Sequence, residues 1–380
     1  QVASGDYSFI AGGVRNRATA AYSFATGYNS CSLGAYAFCS GYGGLATGAV
    51  SRGGGDTGWA LADGSVAEGH ICSAAGYDSQ AVGRAVYAVG NYSHVTGQLN
   101  SACGEGSNAS GFRTRCGPRV RTFTVSGTTV TITGDVTADF SNGEFVTFFN
   151  FTGGSAFTLW RASRTISSVA FGGVNTTFTI SSGLSDRTGG LCGNTSRAWN
   201  SHSEGYASNS SATVAAMGFG SHVEGWTLNT SSRIASGGGS HAEGYSKNSS
   251  TQTASGLGSH VEGYASGTGY MTASGKGAHI EGYVKTSNSI LASGKGAHAE
   301  GTSTTASGNY AHAQGDASTA AFIGQDAQAG GKFATNADSQ ITQFVMRLAT
   351  TTANGTNFVE MILPEKFDGL TNEKMYACTV

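Results

Sequence analysis

Along residues 7–111 small apolar and polar residues alternate in a seven-residue rhythm punctuated by glycine. Glycine recurs at every seventh position from Gly13 to Gly111, with Ala20 and Ala62 filling the two gaps; a small residue often stands two places before, as in "ATG", "AEG" and "AVG". A helical heptad does not suit this pattern, because a glycine in each repeat would cost about 1 kcal/mol and the a/d apolar seam is missing. One short strand and one tight turn per heptad do suit it. Two heptads then make a fourteen-residue coil, and successive coils stack ~4.8 Å apart as their strands pair. Past residue 200 glycine returns, from Gly205 to Gly315, in steps that alternate between seven and twelve (thirteen once) and then relax to seven. This nineteen-residue repeat is two heptads, one carrying a five-residue insertion. Between the blocks, "RTFTVSGTTVTIT", "EFVTFFNF" and "TTFTISS" alternate apolar and polar residues and are rich in β-branched and aromatic side chains, as strands of a compact module do.

The chain is therefore predicted to be all-β, in four parts. Repeats occupy 1–112 and 198–331; a small inserted β-barrel or β-sandwich occupies 113–197, with Phe148, Phe157 and Trp160 in its core; 332–380 opens a β-rich C-terminal domain, incomplete here. The stacked coil is thin. Its small Ala/Gly positions point to one face where sheets or chains approach closely, and the other face mixes Phe24, Phe38, Val82, Tyr87 and Val89 with polar residues. Burial is expected to need further copies of the chain.

Composition narrows the function classes. There are 60 Gly and only 2 Pro, with no Gly-X-Y period, which excludes collagen. Hydrophobic residues at 39% and aromatic residues at 10% argue against disorder. Net charge is −2, with charges scattered singly, so neither nucleic acid nor a basic partner is implied. No apolar run reaches the ~18 residues a membrane helix needs, and no membrane insertion is expected. A start at Gln1 and an end at "MYACTV" are expected of part of a longer polypeptide. The seven cysteines show no CxxC and no zinc spacing. Free buried thiols are the preferred reading, and a Cys116–Cys192 disulfide, bracketing the change of composition, is the alternative.

The repeats carry a resemblance. "NSCSLG", "GSVAEG" and "NYAHAQG" resemble the head repeat of trimeric autotransporter adhesins (YadA-like). The longer "GSHAEGY…TASG" is similar to repeats of bacteriophage tail fibres and tailspikes. The resemblance spans roughly 7–111 and 199–330. It implies a homotrimeric left-handed parallel β-roll, a β-solenoid of 7-, 14- and 19-residue repeats. Where the adhesin head usually places Val and Ile, this chain often has His and Glu, or Thr and Ser.

His-x-Glu-Gly occurs six times, as His202/Glu204, His222/Glu224, His241/Glu243, His260/Glu262, His279/Glu281 and His298/Glu300, and His312 pairs with Gln314 in a further copy. Residues two apart in a strand face the same side, so stacking sets each His over the next. Catalysis needs one distinct constellation, not six equal copies. The reading is a structural ladder of neutral or Glu-paired imidazoles, with no metal and no cofactor; an ion held on a three-fold axis is the alternative. The residue after the motif glycine is aromatic in five repeats, Tyr206, Trp226, Tyr245, Tyr264 and Tyr283. These rings, beside Ser, Thr and Asn, form a candidate receptor- or glycan-contact edge; the plainer alternative is that they merely cover the coil edge.

The expected function is a structural and adhesive homotrimeric fibre segment, extracellular, on a virion tail, displaying host-receptor-binding surface. Its expected partners are a host cell-surface receptor, a glycan among the candidates, and other tail or surface-structure proteins. A bacterial autotransporter adhesin head at the cell surface is the alternative. A polysaccharide-degrading tailspike is the remaining one, but the Glu column offers no sequence-distinct carboxylate pair, so the chain is not expected to be an enzyme.

Overall fold

The computed structural model describes residues 1–152, 159–182 and 187–343. Among them every regular element is a strand, and no helix is long and apolar enough to cross a membrane. The C-terminal segment expected to open a new domain lies mostly outside the described residues, as do Phe157 and the Trp160 side chain.

Most strands belong to one large sheet system built by parallel pairing. In the first block Phe24 pairs with Phe38, Phe38 with Arg52, Arg52 with Val66, and so on through Gln80 and His94 to Asn108. A second series runs beside it, with Arg17 on Cys31 and Cys31 on Leu45. Each fourteen-residue step thus lays two strands on the two before it, a tier. The ladder then crosses the break in the heptads directly: Asn108 pairs with His202, and Thr114–Cys116 with Val214–Ala216. It continues through His222, His241, His260, His279, His298 and His312 to Asp326. At the far end Gln340–Gln343 pairs antiparallel with Asp326–Gly330 and reverses the direction of the sheet.

The interior of the tiers is narrow, filled by Ala, Val, Ile and Met at essentially zero exposure. Glycine sets the tier separation. A Cβ added at Gly263, whose φ is +123°, would lie 2.1 Å from the carbonyl oxygen of Gly282; one added at Gly275 would lie 1.9 Å from that of Gly294. Only hydrogen fits there. The pairs Tyr206–Trp226 and Tyr245–Tyr264 carry forward a line that runs through Arg84, Gln98 and Phe112 in the first block, and the five-residue insertions follow it along the chain. One buried column in this block runs Val214, Arg233, Gln252, Met271, Ile290. Arg233 is fully buried in it. Its guanidinium donates to Gln252 Oε1 at 2.8 Å, to Ser246 Oγ at 3.2 Å and to the Glu224 carbonyl at 3.2 Å.

Between Asn108 and His202 the chain forms a closed antiparallel six-stranded barrel. In barrel order the strands are Arg121–Ser126, Thr129–Thr133, Asn175–Ile180, Leu159–Phe171, Phe145–Thr152 and Arg187–Asn194. The alternation that predicted strands also sorts their faces: Val130 and Ile132 point in, Thr129 and Thr133 out. Phe123, Phe140, Phe148, Ile166 and Phe178 fill the centre. Phe149 faces the other way and packs with Val89 and Cys103 of the tiers, which seats the barrel on them.

The Cys116–Cys192 bridge is corrected by this arrangement. Both are free, buried thiols, Cys116 inside the tiers and Cys192 inside the barrel. Burial pushes the Cys116 thiol up to about 12 and the Cys192 thiol up as well, so neither is a ready nucleophile.

Candidate functional site

Because successive His-x-Glu-Gly units are in parallel register, their imidazoles stack. Ring centroids are 4.6 Å apart for His222–His241, 4.7 Å for His241–His260, 4.8 Å for His260–His279 and 4.7 Å for His279–His298, all within 6° of parallel. The column ends in a tilted His202–His222 pair at 33° and a His298–His312 pair at 15°. The central residue of each motif, such as Val223, Ala242, Val261 and Ile280, points into the tier and is fully buried. His and Glu therefore share the opposite, half-exposed face.

The His–Glu contacts run diagonally between tiers. His260 Nε2 lies 3.2 Å from Glu243 Oε1, within hydrogen-bond reach. His241–Glu224, His279–Glu262 and His312–Glu300 are looser at 3.8, 3.7 and 3.6 Å. His202 differs, facing Glu204 of its own tier at 3.6 Å. The Nε2 atoms of His222, His241, His279, His298 and His312 are closed off from solvent without a hydrogen-bond partner in the chain. Burial, then the charge of neighbouring imidazoles, holds His222, His241 and His279 below the ordinary histidine value.

The carboxylates form their own column, with Glu262 paired to Glu281 and Glu281 to Glu300 in register. They line an open groove of about 560 Å³ together with Gln314, Gln328 and the motif glycines. Their affinities for protons alternate. A hydrogen bond with Glu243, and then burial, raises Glu224 to about 7, and burial raises Glu262. Hydrogen bonds from Glu300 and Glu262 hold Glu281 below the usual range. Stacked at strand spacing, neighbouring carboxyls repel when both are ionised, which favours one acid beside one carboxylate.

Metal chemistry can be weighed on the same geometry. The ligand atoms of His202, Glu204 and His222 come within 4.8 Å of one another, as do those of His241, Glu243 and His260 and of His279, Glu281 and His298. An ion bound in the plane of one imidazole lies out of the plane of a parallel neighbour. The near-parallel pairs could share an ion only by turning a ring, and the tilted His202–His222 pair comes nearest to the required fan.

The aromatic edge is also a column, in which Tyr264 is stacked on both faces and Tyr245 and Tyr283 on one. Tyr245–Tyr264 and Tyr264–Tyr283 stack at 5.3 and 5.2 Å, and Phe112 extends the series by stacking on Tyr206 at 5.2 Å. Edges and hydroxyls are left to solvent there. Trp226, tilted 49° to Tyr206 and 59% exposed, presents ring face. A second aromatic column, which the sequence reading passed over, consists of Tyr7, Tyr22 and Tyr36, stacked at 5.0 and 4.9 Å. Their spacing of fourteen or fifteen residues was the available signal. Compared with known protein families and with curated proteins, the sequence matches none of them.

Proposed function

We propose that the chain is a structural and adhesive segment of a homotrimeric fibre: two stretches of left-handed parallel β-solenoid joined through an inserted barrel. The observation that carries this reading is the uninterrupted parallel ladder, which passes from Asn108 to His202 as though the barrel were not there. Such stacking gives length and stiffness for little sequence information, and it leaves the barrel and the aromatic edges displayed on the side. Three copies would cover the half-exposed His/Glu face and the open carboxylate groove on it. Display on three chains would turn weak contacts with a host-surface receptor into avidity. The place on an extracellular virion tail rests on the resemblance of the repeats to those of phage fibres. Trp226, with its open ring face, is the residue of the edge best suited to meet a sugar.

Light scattering on the purified chain tests the assembly. The expected mass is about three times 38.4 kDa, unchanged by chelator. A monomer would overturn the fibre reading. A trimer that falls apart in chelator would overturn the metal-free ladder.

A further inference from the structure

Where the barrel strands leave the tiers, a cavity of about 210 Å³ is lined by Arg113, Arg115 and Arg119 together with Tyr87, Asn209 and Thr213, and no carboxylate lies in its wall. Three guanidinium groups in one small cavity are a large local charge for a chain that is only 12% charged. The Nε atoms of Arg113 and Arg115 are buried and have no hydrogen-bond partner. Arg119 donates from Nη2 to the carbonyl of Ser210 at 3.1 Å, which fixes it in the wall. Asp139, the carboxylate whose field reaches Arg115 and Arg119, is already engaged by Arg121 at 2.6 and 3.1 Å. Burial, and next the charge of Arg119, pushes Arg115 down to about 10. Stacking of Arg113 over the Phe112 ring at 5.3 Å accounts for its position, but not for its idle N–H.

Three half-buried guanidinium groups gathered in one wall without a carboxylate repel one another, and an oxyanion relieves that cost by accepting from their N–H donors. We propose that this cavity is an oxyanion-binding site, with Arg113, Arg115 and Arg119 as the donors and a carboxylate, sulfate or phosphate group as the ligand. The volume is below the ~300 Å³ at which drug-sized pockets begin, so the site takes one acidic group and part of the ring that carries it. On the fibre reading, and resting on it, that group belongs to an acidic sugar of the target surface.

The test is calorimetric titration of the intact oligomer with sodium sulfate, inorganic phosphate and glucuronate, with glucose and with chloride at matched ionic strength as references. Saturable binding of at least one oxyanion, one per chain, and none of glucose is expected. Arg115→Gln and Arg113→Gln should each weaken it roughly tenfold or more, since hydrogen bonds to charged groups are worth ~1.5–3 kcal/mol. Glucuronate alone binding would identify a carboxylate reader; sulfate or phosphate alone would identify an ester reader. No saturable heat with any of the three anions, heat that chloride reproduces, or unchanged affinity in a folded Arg115→Gln would overturn the site. If these two variants fail to fold, two other readouts decide: Arg119→Gln, and the arginine N–H resonances of the wild type on adding sulfate. Unmoved resonances overturn the proposal. A monomer that still binds the anion would sink the fibre reading alone, and a trimer that does not bind it would sink the site alone.

Discussion

Gly275 and Gly277 are two residues apart, and alanine at each should have very different consequences. At Gly277 φ is +65° and nothing lies within 4 Å of an added Cβ. Alanine there meets only the left-handed backbone penalty of ~1–2 kcal/mol, partly offset because the unfolded chain also loses freedom. The expected net cost is about 1 kcal/mol. At Gly275 the backbone has no such penalty, but the Cβ would sit 1.9 Å from the Gly294 oxygen, 2.6 Å from its carbonyl carbon and 2.9 Å from the Ser293 oxygen. These are backbone atoms of the next tier and cannot swing aside. To restore an ordinary contact the tiers must part by roughly 1 Å, which stretches the bonds from Ser274 N and Gly275 N to Ala292 O, now 2.9 and 3.2 Å, beyond useful length. Two backbone hydrogen bonds at ~1 kcal/mol each, plus the loosened contact between buried Ala273 and Ala292, bring the expected cost to about 3–4 kcal/mol.

The assay is equilibrium urea unfolding followed by far-ultraviolet circular dichroism, with amide exchange measured on peptides covering 270–296. Gly275→Ala should lower the unfolding midpoint by about three times as much as Gly277→Ala at similar slope. It should also raise exchange in its own tier and in the tier above. If the two variants cost the same within ~0.5 kcal/mol, glycine is not what sets the tier spacing. The same result would refute the argument that the seven-residue glycine phase is dictated by close approach of backbones.

Two further outcomes follow from buried charge. Arg233→Met fills the volume that Arg233→Ala leaves empty, while both remove the donors to Gln252, Ser246 and the Glu224 carbonyl; Arg233→Ala should lose about 3 kcal/mol or more and Arg233→Met about 2 kcal/mol less, and urea midpoints of the two variants compare them. The ladder should titrate with opposing slopes. Lowered imidazoles such as His241 contribute stability that is complete above the unfolded value of 6.5 and is lost as pH falls through their folded values; raised Glu224 contributes stability present below 4.5 and lost as pH rises through about 7. Glu224→Gln, which mimics the protonated acid, should therefore be near neutral at pH 5 and stabilising by about 1 kcal/mol at pH 8, a figure reduced for the exposure of the site. Unfolding midpoints equal to wild type at both pH values would refute proton sharing in the column.

Much of the scaffold was legible because glycine cannot be replaced where backbones touch, and so its spacing displays the tier. The nineteen-residue step places His over His and Tyr over Tyr by counting alone. The sequence could not display what depends on direction within a tier. His260 reaches back to Glu243 rather than to Glu262, a stagger set by the twist between strands. Ring stacking covers both faces of Tyr264 and one face of Tyr283, which spacing alone does not show. Arg233 could have been found: counted in steps of nineteen it falls in line with Gln252, Met271 and Ile290, and a charge in that line is a charge in the core. The arginine cavity could not, since its wall joins residues near 113–120 to residues near 209–214, which only the closure of the barrel brings together.

The turn after each tier glycine indicates how such a chain tolerates its own regularity. At this turn the left-handed position is glycine at Gly64, Gly106, Gly220, Gly239, Gly258, Gly277 and Gly296, whereas Tyr7, Tyr22, Tyr36, Val50, Asp78, Tyr92 and Tyr310 hold it with φ between 49° and 59°. Tyr7, Tyr22 and Tyr36 follow one another in successive tiers. Each tyrosine takes on ~1–2 kcal/mol of backbone strain that glycine would avoid. Stacking of its ring on the ring of the next tier returns ~0.5–1.5 kcal/mol, and only because the tiers hold the rings 4.9–5.0 Å apart. The spacing that glycine enforces within the tiers thus offsets part of the strain at Tyr7, Tyr22 and Tyr36, while Val50 and Asp78 hold the same conformation without a ring to stack. The same spacing favours one acid beside one carboxylate and makes imidazoles stack. A fixed repeat distance turns every phase-locked residue into a column, in which copies of one residue stack, as His241 and His260 do, or unlike residues must satisfy each other, as Arg233 and Gln252 do.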